Sequence, residues 1–300
     1  MKCLLLIPVM VLFVCSALAQ SREELYNNFK VALSERDSTA ILSLISDWEK
    51  IYPLDAELYS LKANYYFQNA VDDVIVMSEI EPTDGSDYYV AEDSLGSKLY
   101  MYSVLQIDSI KLDSAKEVLA EGISKNPDRI DLRLGKVAMH LYVQENLLAV
   151  QEIQSALEHS TKNNNKWNGT LDSPIESNGI SYLRDCIQGY LSQLLDANDY
   201  VSAEKMIDTC IRLYPNDAIF LTDKGVLRSY AGDSETALQW FLKARELTPE
   251  DMLIANNIAY LYEKQGDKKN AMKYYRIVAD GNDESCAEIA RTAIQELSAE

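Results

Sequence analysis

The chain has 300 residues, 47% of them hydrophobic, with 28 basic residues against 47 acidic ones and a formal charge of −19. So large an acid excess repels nucleic acid and anionic lipid headgroups, which excludes a protein built to bind either. The hydrophobic content is ordinary for a globular or solenoid protein.

Residues 1–19 stand apart from the rest. Lys2 gives a short basic start, Cys3 to Cys15 is uncharged and mostly apolar, and Ala17-Leu18-Ala19 supplies a small-x-small cleavage pattern. This is a secretory leader, too short to span a bilayer, with cleavage expected after Ala19. A lipidated leader ending at Cys15 is the alternative, but Val14 stands where a small residue is normally needed. No later segment is apolar enough to cross a membrane, so the mature chain is expected to have no transmembrane segment. Losing Lys2 leaves 27 basic residues against 47 acidic ones, a charge of −20. That charge reads either as solubility or as a preference for a basic partner.

Residues 20–160 read as degenerate helical repeats with an insertion near 71–92. Two helices are expected up to Tyr52, joined at Arg36-Asp37-Ser38, with Ser21 and Glu24 at capping-box spacing. Leu54 to Asn69 reads as a further helix, with Leu58, Leu61 and Tyr65 on one face. Val74-Ile75-Val76 and Tyr88-Tyr89-Val90 flank Glu81-Pro82-Thr83-Asp84-Gly85, which predicts a β-hairpin or an ordered loop. Helices are expected to resume at Asp93-Ser94, a good N-cap pair. Residues 161–178, rich in asparagine and serine around Trp167, read as a long polar loop that splits the repeats into two halves. Residues 179–285 hold three clear repeat units, and 286–300 read as a helix covering the apolar end.

The clear units repeat at a spacing of 34 residues. Asn198-Asp199, Gly232-Asp233 and Gly266-Asp267 mark the turns; Ala203, Ala237 and Ala271 follow, then Ile207, Phe241 and Tyr275. Pro215 and Pro249 close the first two units. Ala115, Leu119 and Pro127 keep the offsets of Ala237, Phe241 and Pro249, and Ala149 lies 34 residues after Ala115. A period of this length predicts an all-α helix-turn-helix solenoid, in which about three or more units must stack to bury their apolar faces. Glycine closes the first helix, aspartate caps the second, and alanine lets the two helices cross closely.

The best unit, with Gly225, Gly232-Asp233, Ala237, Phe241, Ala244 and Pro249, resembles the tetratricopeptide repeat (TPR) family. The resemblance covers Arg184 to Asp283 clearly, and the whole layout is similar to exported repeat proteins of Gram-negative bacteria. It implies a superhelix whose first helices line a concave groove. The groove positions carried over are Gln188, Ser192, Leu195, Thr222, Val226, Ser229, Asn256, Tyr260 and Glu263. Tyr260 is either an anchor in that groove or packed inside the solenoid. A known subgroup clamps a terminal carboxylate with lysines and asparagines. Only Asn257 matches that clamp here, so such binding is not expected. Lys224 and Arg228 stand where apolar residues are usual. They either snorkel to the rim or mark a looser contact between units.

Enzyme chemistry finds no support. His140 and His159 have no second ligand at metal spacing, and there is no His-Glu-x-x-His, Cys-x-x-Cys, phosphate-cradling glycine loop or Gly-x-Ser-x-Gly. Glu79, Glu81, Asp84 and Asp87 form an acidic group, but setting Gly85 as the central glycine of a calcium loop puts Ile80, Pro82 and Ala91 in ligand slots. Cys186, Cys210 and Cys286 remain after the leader; Cys186 and Cys210 either pair or are buried thiols. Asn168-Gly169-Thr170 is a sequon. Asp37-Ser38, Asp93-Ser94, Asp108-Ser109 and Asp113-Ser114 resemble a bacterial O-glycan pattern and equally read as helix caps. The expectation is a non-enzymatic scaffold of the cell envelope, periplasmic or outer-membrane-associated, with a protein or peptide partner and no cofactor or metal. The alternative is a glycan or small-ligand accessory using Trp167 and the insertion. A remoter one is an enzyme with dispersed carboxylates.

Overall fold

A computed structural model describes residues 20–83, 87–94, 96–175 and 179–299. The expected leader at 1–19, the expected turn at Asp84-Gly85 and the end of the polar loop lie outside the described residues. Thirteen α-helices are described, together with one three-stranded sheet.

The helices associate as consecutive antiparallel pairs. The pairs are α1 (Arg22–Glu35) with α2 (Ser38–Ile51), α3 (Ala56–Gln68) with α4 (Ser109–Lys125), and α5 (Ile130–Tyr142) with α6 (Asn146–Lys162). They continue as α7 (Gly179–Asp196) with α8 (Tyr200–Leu213), α9 (Ala218–Tyr230) with α10 (Ser234–Leu247), and α11 (Met252–Lys264) with α12 (Lys268–Ala279). A last helix, α13 (Glu284–Ala299), packs on α11 and α12 and covers Ala271, Tyr275 and Val278 with Ala290 and Leu297. The molecule is therefore an all-α repeat solenoid with one irregular insertion, as the 34-residue period predicts.

Each regular turn has the same local cause. Asn198, Gly232 and Gly266 adopt positive φ of 57°, 78° and 76°. The following Asp199, Asp233 and Asp267 then accept hydrogen bonds from the amides of Ser202, Thr236 and Asn270. Ala203, Ala237 and Ala271 are fully buried where the paired helices cross. Gly225 shows how tight that crossing is: a Cβ there would lie 2.8 Å from the Phe241 ring. Lys224 and Arg228 do not snorkel. Lys224 is buried and its Nζ is bonded to Glu204 and Asp208 of α8, while Arg228 also reaches Glu204, so ion pairs make this inter-unit contact.

The insertion is larger than expected and built differently. Its strands are β1 (Val71–Ser78), β2 (Tyr88–Glu92) and β3 (Lys98–Ile107), in the order β1-β3-β2 with both pairings antiparallel. The expected hairpin between the first two runs does not form; each pairs with β3 instead. Asp93-Ser94 lies in the turn before β3, and helices resume only at Ser109, capped by Asp108. Asp113-Ser114 is inside α4, where Ser114 Oγ donates to the Ile110 carbonyl, so it caps nothing. The Asp108 amide donates to the Ala70 carbonyl at 2.7 Å, which closes the two ends of the insertion on each other. The sheet thus leaves from, and returns to, the position of one tight inter-helix turn.

The polar loop does not split the molecule. Trp167 is buried in one apolar cluster that runs from Ile130 and Ile153 through Leu183 and Ile207 to Phe220, spanning α5 to α9. Its Nε1 donates to Ser160 Oγ at 3.1 Å, and the Arg133 guanidinium lies over its ring. A lone buried indole N–H needs such an acceptor, and the asparagine-rich neighbourhood hid the burial. The loop also returns to earlier units. The Asn168 amide donates to the Asp128 carbonyl, and the Leu171 amide donates to Glu57 Oε1.

Candidate functional site

The first helices of the last three pairs, α7, α9 and α11, carry the groove positions. On α7, Gln188 and Ser192 are exposed and Leu195 is half-buried against the core. On α9, Thr222, Val226 and Ser229 are half-buried, and the Thr222 hydroxyl donates to the Ala218 carbonyl. On α11, Asn256 is half-buried, Tyr260 is 48% exposed, and Glu263 accepts a 2.6 Å hydrogen bond from the Tyr275 hydroxyl. Tyr260 is thus on the surface, with the Lys264 ammonium 5.4 Å from its ring centre. Glu263 is already engaged within its own unit.

These residues do not all meet. Val226, Ser229 and Tyr260 line one recess of about 180 Å³ with Tyr230, Phe241, Asn257 and Leu261. Gln188, Ser192, Thr222, Asn256 and Glu263 lie outside it. The recess has the ingredients of a side-chain pocket: a phenyl floor, two tyrosines at the mouth, and a hydroxyl and an amide for orientation. Tyr230 is 64% exposed and follows Ser229 directly. It was not singled out from the sequence, although its place at the end of the same helix face was readable.

Asp223 is the second residue that sequence reasoning missed. It lies on α9 and is only 7% exposed. Its Oδ1 accepts a long 3.4 Å hydrogen bond from Gln188 Nε2, and its Oδ2 is buried with no hydrogen-bond partner among the described residues. Burial pushes its carboxyl up to about 6; Gln188 and Arg184 oppose the rise and Asp217 adds to it. The signal was present in the period. Gly189, Asp223 and Asn257 are spaced 34 apart, so Asp223 shares the slot of Asn257.

The remaining chemistry is structural. Cys186, Cys210 and Cys286 are free thiols, and burial pushes all three up, so none is an activated thiolate. His140 is buried with Nδ1 2.6 Å from Glu145, and His159 sits 2.8 Å from Asp128. No group of metal-ligating side chains occurs among the described residues, and no described helix is long and apolar enough to cross a membrane.

No protein-family model matches the chain, and no curated protein matches it. Solved structures do resemble it. YrrB, described as a TPR protein with an unusual peptide-binding site, shares 13% identity over 83% of this chain and 97% of its own, with a TM-score of 0.41. PilF of Pseudomonas aeruginosa shares 17% over 63% and 85%, with a TM-score of 0.37. MamA of Desulfovibrio magneticus RS-1 shares 14% over 56% and 84%, with a TM-score of 0.35. The repeat-solenoid class stands on the helix pairing itself.

Proposed function

We propose that this protein is a non-enzymatic interaction scaffold that holds an extended or helical segment of a protein partner across α7, α9 and α11. The observation that carries the reading is the recess beside Tyr230 and Tyr260. Two exposed tyrosines flank a phenyl floor on a face that the fold itself leaves uncovered. Exposed aromatics with one wet end are the side chains that most often anchor such contacts. The charge of the chain favours a basic partner. The leader-like residues 1–19 support export to the periplasm or the outer-membrane side.

The test is reversible crosslinking in the native envelope fraction, comparing the mature chain with Tyr260→Ala and Tyr230→Ala. Both side chains are exposed, so both variants should fold. One partner captured by the parent chain and released by either change supports the groove. Capture that survives both changes sinks it.

One observation favours a second reading. A cavity of about 660 Å³ at the base of β1 is lined by Tyr65, Phe67 and Tyr142 together with Arg36, Asn69 and Asp72. Aromatic and hydrogen-bonding groups together suit a sugar or another small polar ligand. Trp167, buried at 3% exposure, takes no part in it. A sugar panel that raises the melting temperature of the parent chain but not of Tyr142→Ala would favour this reading.

A further inference from the structure

We propose that Asp223 sets the specificity of this groove by receiving one primary ammonium group, the tip of a lysine side chain in the partner segment. The proposal rests on the groove reading above and names the chemistry of its occupant.

Asp223 is badly placed for stability alone. A carboxylate in the wall of a solenoid is desolvated, and one that is not fully hydrogen-bonded works against folding. Its Oδ2 has no donor, and its Oδ1 has only the 3.4 Å contact from Gln188. The nearby cation, Arg184, is directed elsewhere: its Nε faces Asp217 at 3.3 Å. On α11, Asn256 Oδ1 is likewise buried without a partner, and Arg184 Nε is a buried donor that makes no hydrogen bond either. That donor does not reach Asp223 Oδ2, and a partner side chain can bring one that does.

The route to Asp223 that we infer passes Gly189 and the side chain of Gln188. Gly189 stands in the middle of α7 beside Gln188, and a Cβ there would meet nothing within 4 Å. A glycine inside a helix is less stable than alanine at the same position. Here no close packing demands it, and its absent side chain leaves a notch next to the Gln188 cover. Gln188 is exposed, so its weakly bonded amide can swing aside. A thin, four-carbon stem ending in a compact point charge fits so narrow an approach better than the broader planar guanidinium does. The overall charge of the chain, −19, attracts a cationic segment to the molecule.

The test uses the mature chain and an immobilised array of short random peptides with capped termini. Binders are then remade with each lysine replaced by norleucine, which keeps the stem and removes the charge, or by arginine. The expected result is that one lysine dominates. Norleucine there weakens binding to the parent chain by about tenfold or more, in line with a charge-assisted hydrogen bond. Arginine binds less well than lysine, Asp223→Asn abolishes the lysine preference, and Gly189→Leu weakens all binders. Asp223→Asn keeps the shape of the wall, and retention of its helical signal shows that it folds. If binders released by Tyr260→Ala show no lysine preference, or Asp223→Asn leaves the preference intact, the Asp223 proposal is overturned while the groove stands. If no peptide binds, or binding ignores Tyr260→Ala, both fall.

Discussion

The first three helix pairs and the last three solve the same stacking problem by different means. In the last three, apolar residues at a fixed period do most of the work: Ala203, Ala237 and Ala271 at the crossings, with Ile207, Phe241 and Tyr275 buried beside them. The ion pairs of Lys224 and Arg228 are confined to the contact between α8 and α9. In the first three, charge takes much of that role. Arg129, 2% exposed in its side chain, holds Glu57 at 2.7 Å, Asp131 through two hydrogen bonds, and Asp172 at 3.2 Å. Arg22 joins Asp55 to the same Asp172, and Trp48 Nε1 donates to Asp55. The network ties α1, α3 and α5 to the short 3-10 turn Thr170–Asp172, where Leu171 and Asp172 both hold positive φ. A stack held by burial is indifferent to the identity of its surface residues. A stack held by buried ions depends on every member being present.

The largest effect should come from breaking that network. Arg129→Ala leaves Asp131 without its cation and Glu57 with only Arg22 at 3.6 Å, and should cost about 3–5 kcal/mol. Hydrogen exchange should show the loss concentrated in α1, α3, α5 and the loop. An equal loss of protection in α9 to α12 would mean that the two halves unfold as one unit, and the contrast would be wrong.

Asp223 is the place where the regular half departs from its own rule. Its folded carboxyl, at about 6, lies above its ordinary value of 3.8. The fold therefore favours the protonated form. The associated stabilisation is complete below about pH 4 and is lost as pH rises through 6. At pH 7.5 the buried charge should cost the fold about 3 kcal/mol. Asp223→Asn should raise the melting temperature at pH 7.5 and remove the part of the pH dependence between 4 and 7. A variant no more stable than the parent at pH 7.5 would show that the carboxylate has a partner after all.

The smallest effect sharpens the comparison at the turns. Gln144, joining α5 to α6, has φ of 61° where the regular units have glycine or asparagine. A left-handed backbone is costly for such a residue, so Gln144→Gly should stabilise the first half by up to about 1 kcal/mol. The same change at Asn198 should do less, since asparagine tolerates this region. Urea midpoints of the two variants make the comparison, and equal gains would remove the distinction between the halves.

Much of this was readable in the residues. The period placed the crossings, the caps and the apolar positions from α7 to α12, because each unit is a local device: a left-handed turn, an aspartate cap, a small residue and a large one. Those causes act over a few residues and leave a mark wherever they occur. The strand β3 was not readable, because its partners lie far away in the chain. Val71 pairs with Ile107, and Asp93-Ser94 imitates a helix start. The network around Arg129 joins residues from Arg22 to Asp172, and Trp167 is buried only because its polar loop folds back over α5 and α6. Asp223 belongs to both kinds. Its slot follows from the period, but only the packed neighbours decide that one oxygen of its carboxylate is buried without a donor. Local propensity and repetition thus settled the architecture of the solenoid. Which loops fill it, which charges it buries and which face it leaves open were decided by contacts between distant segments, whose free energy depends on burial that no single stretch of sequence records.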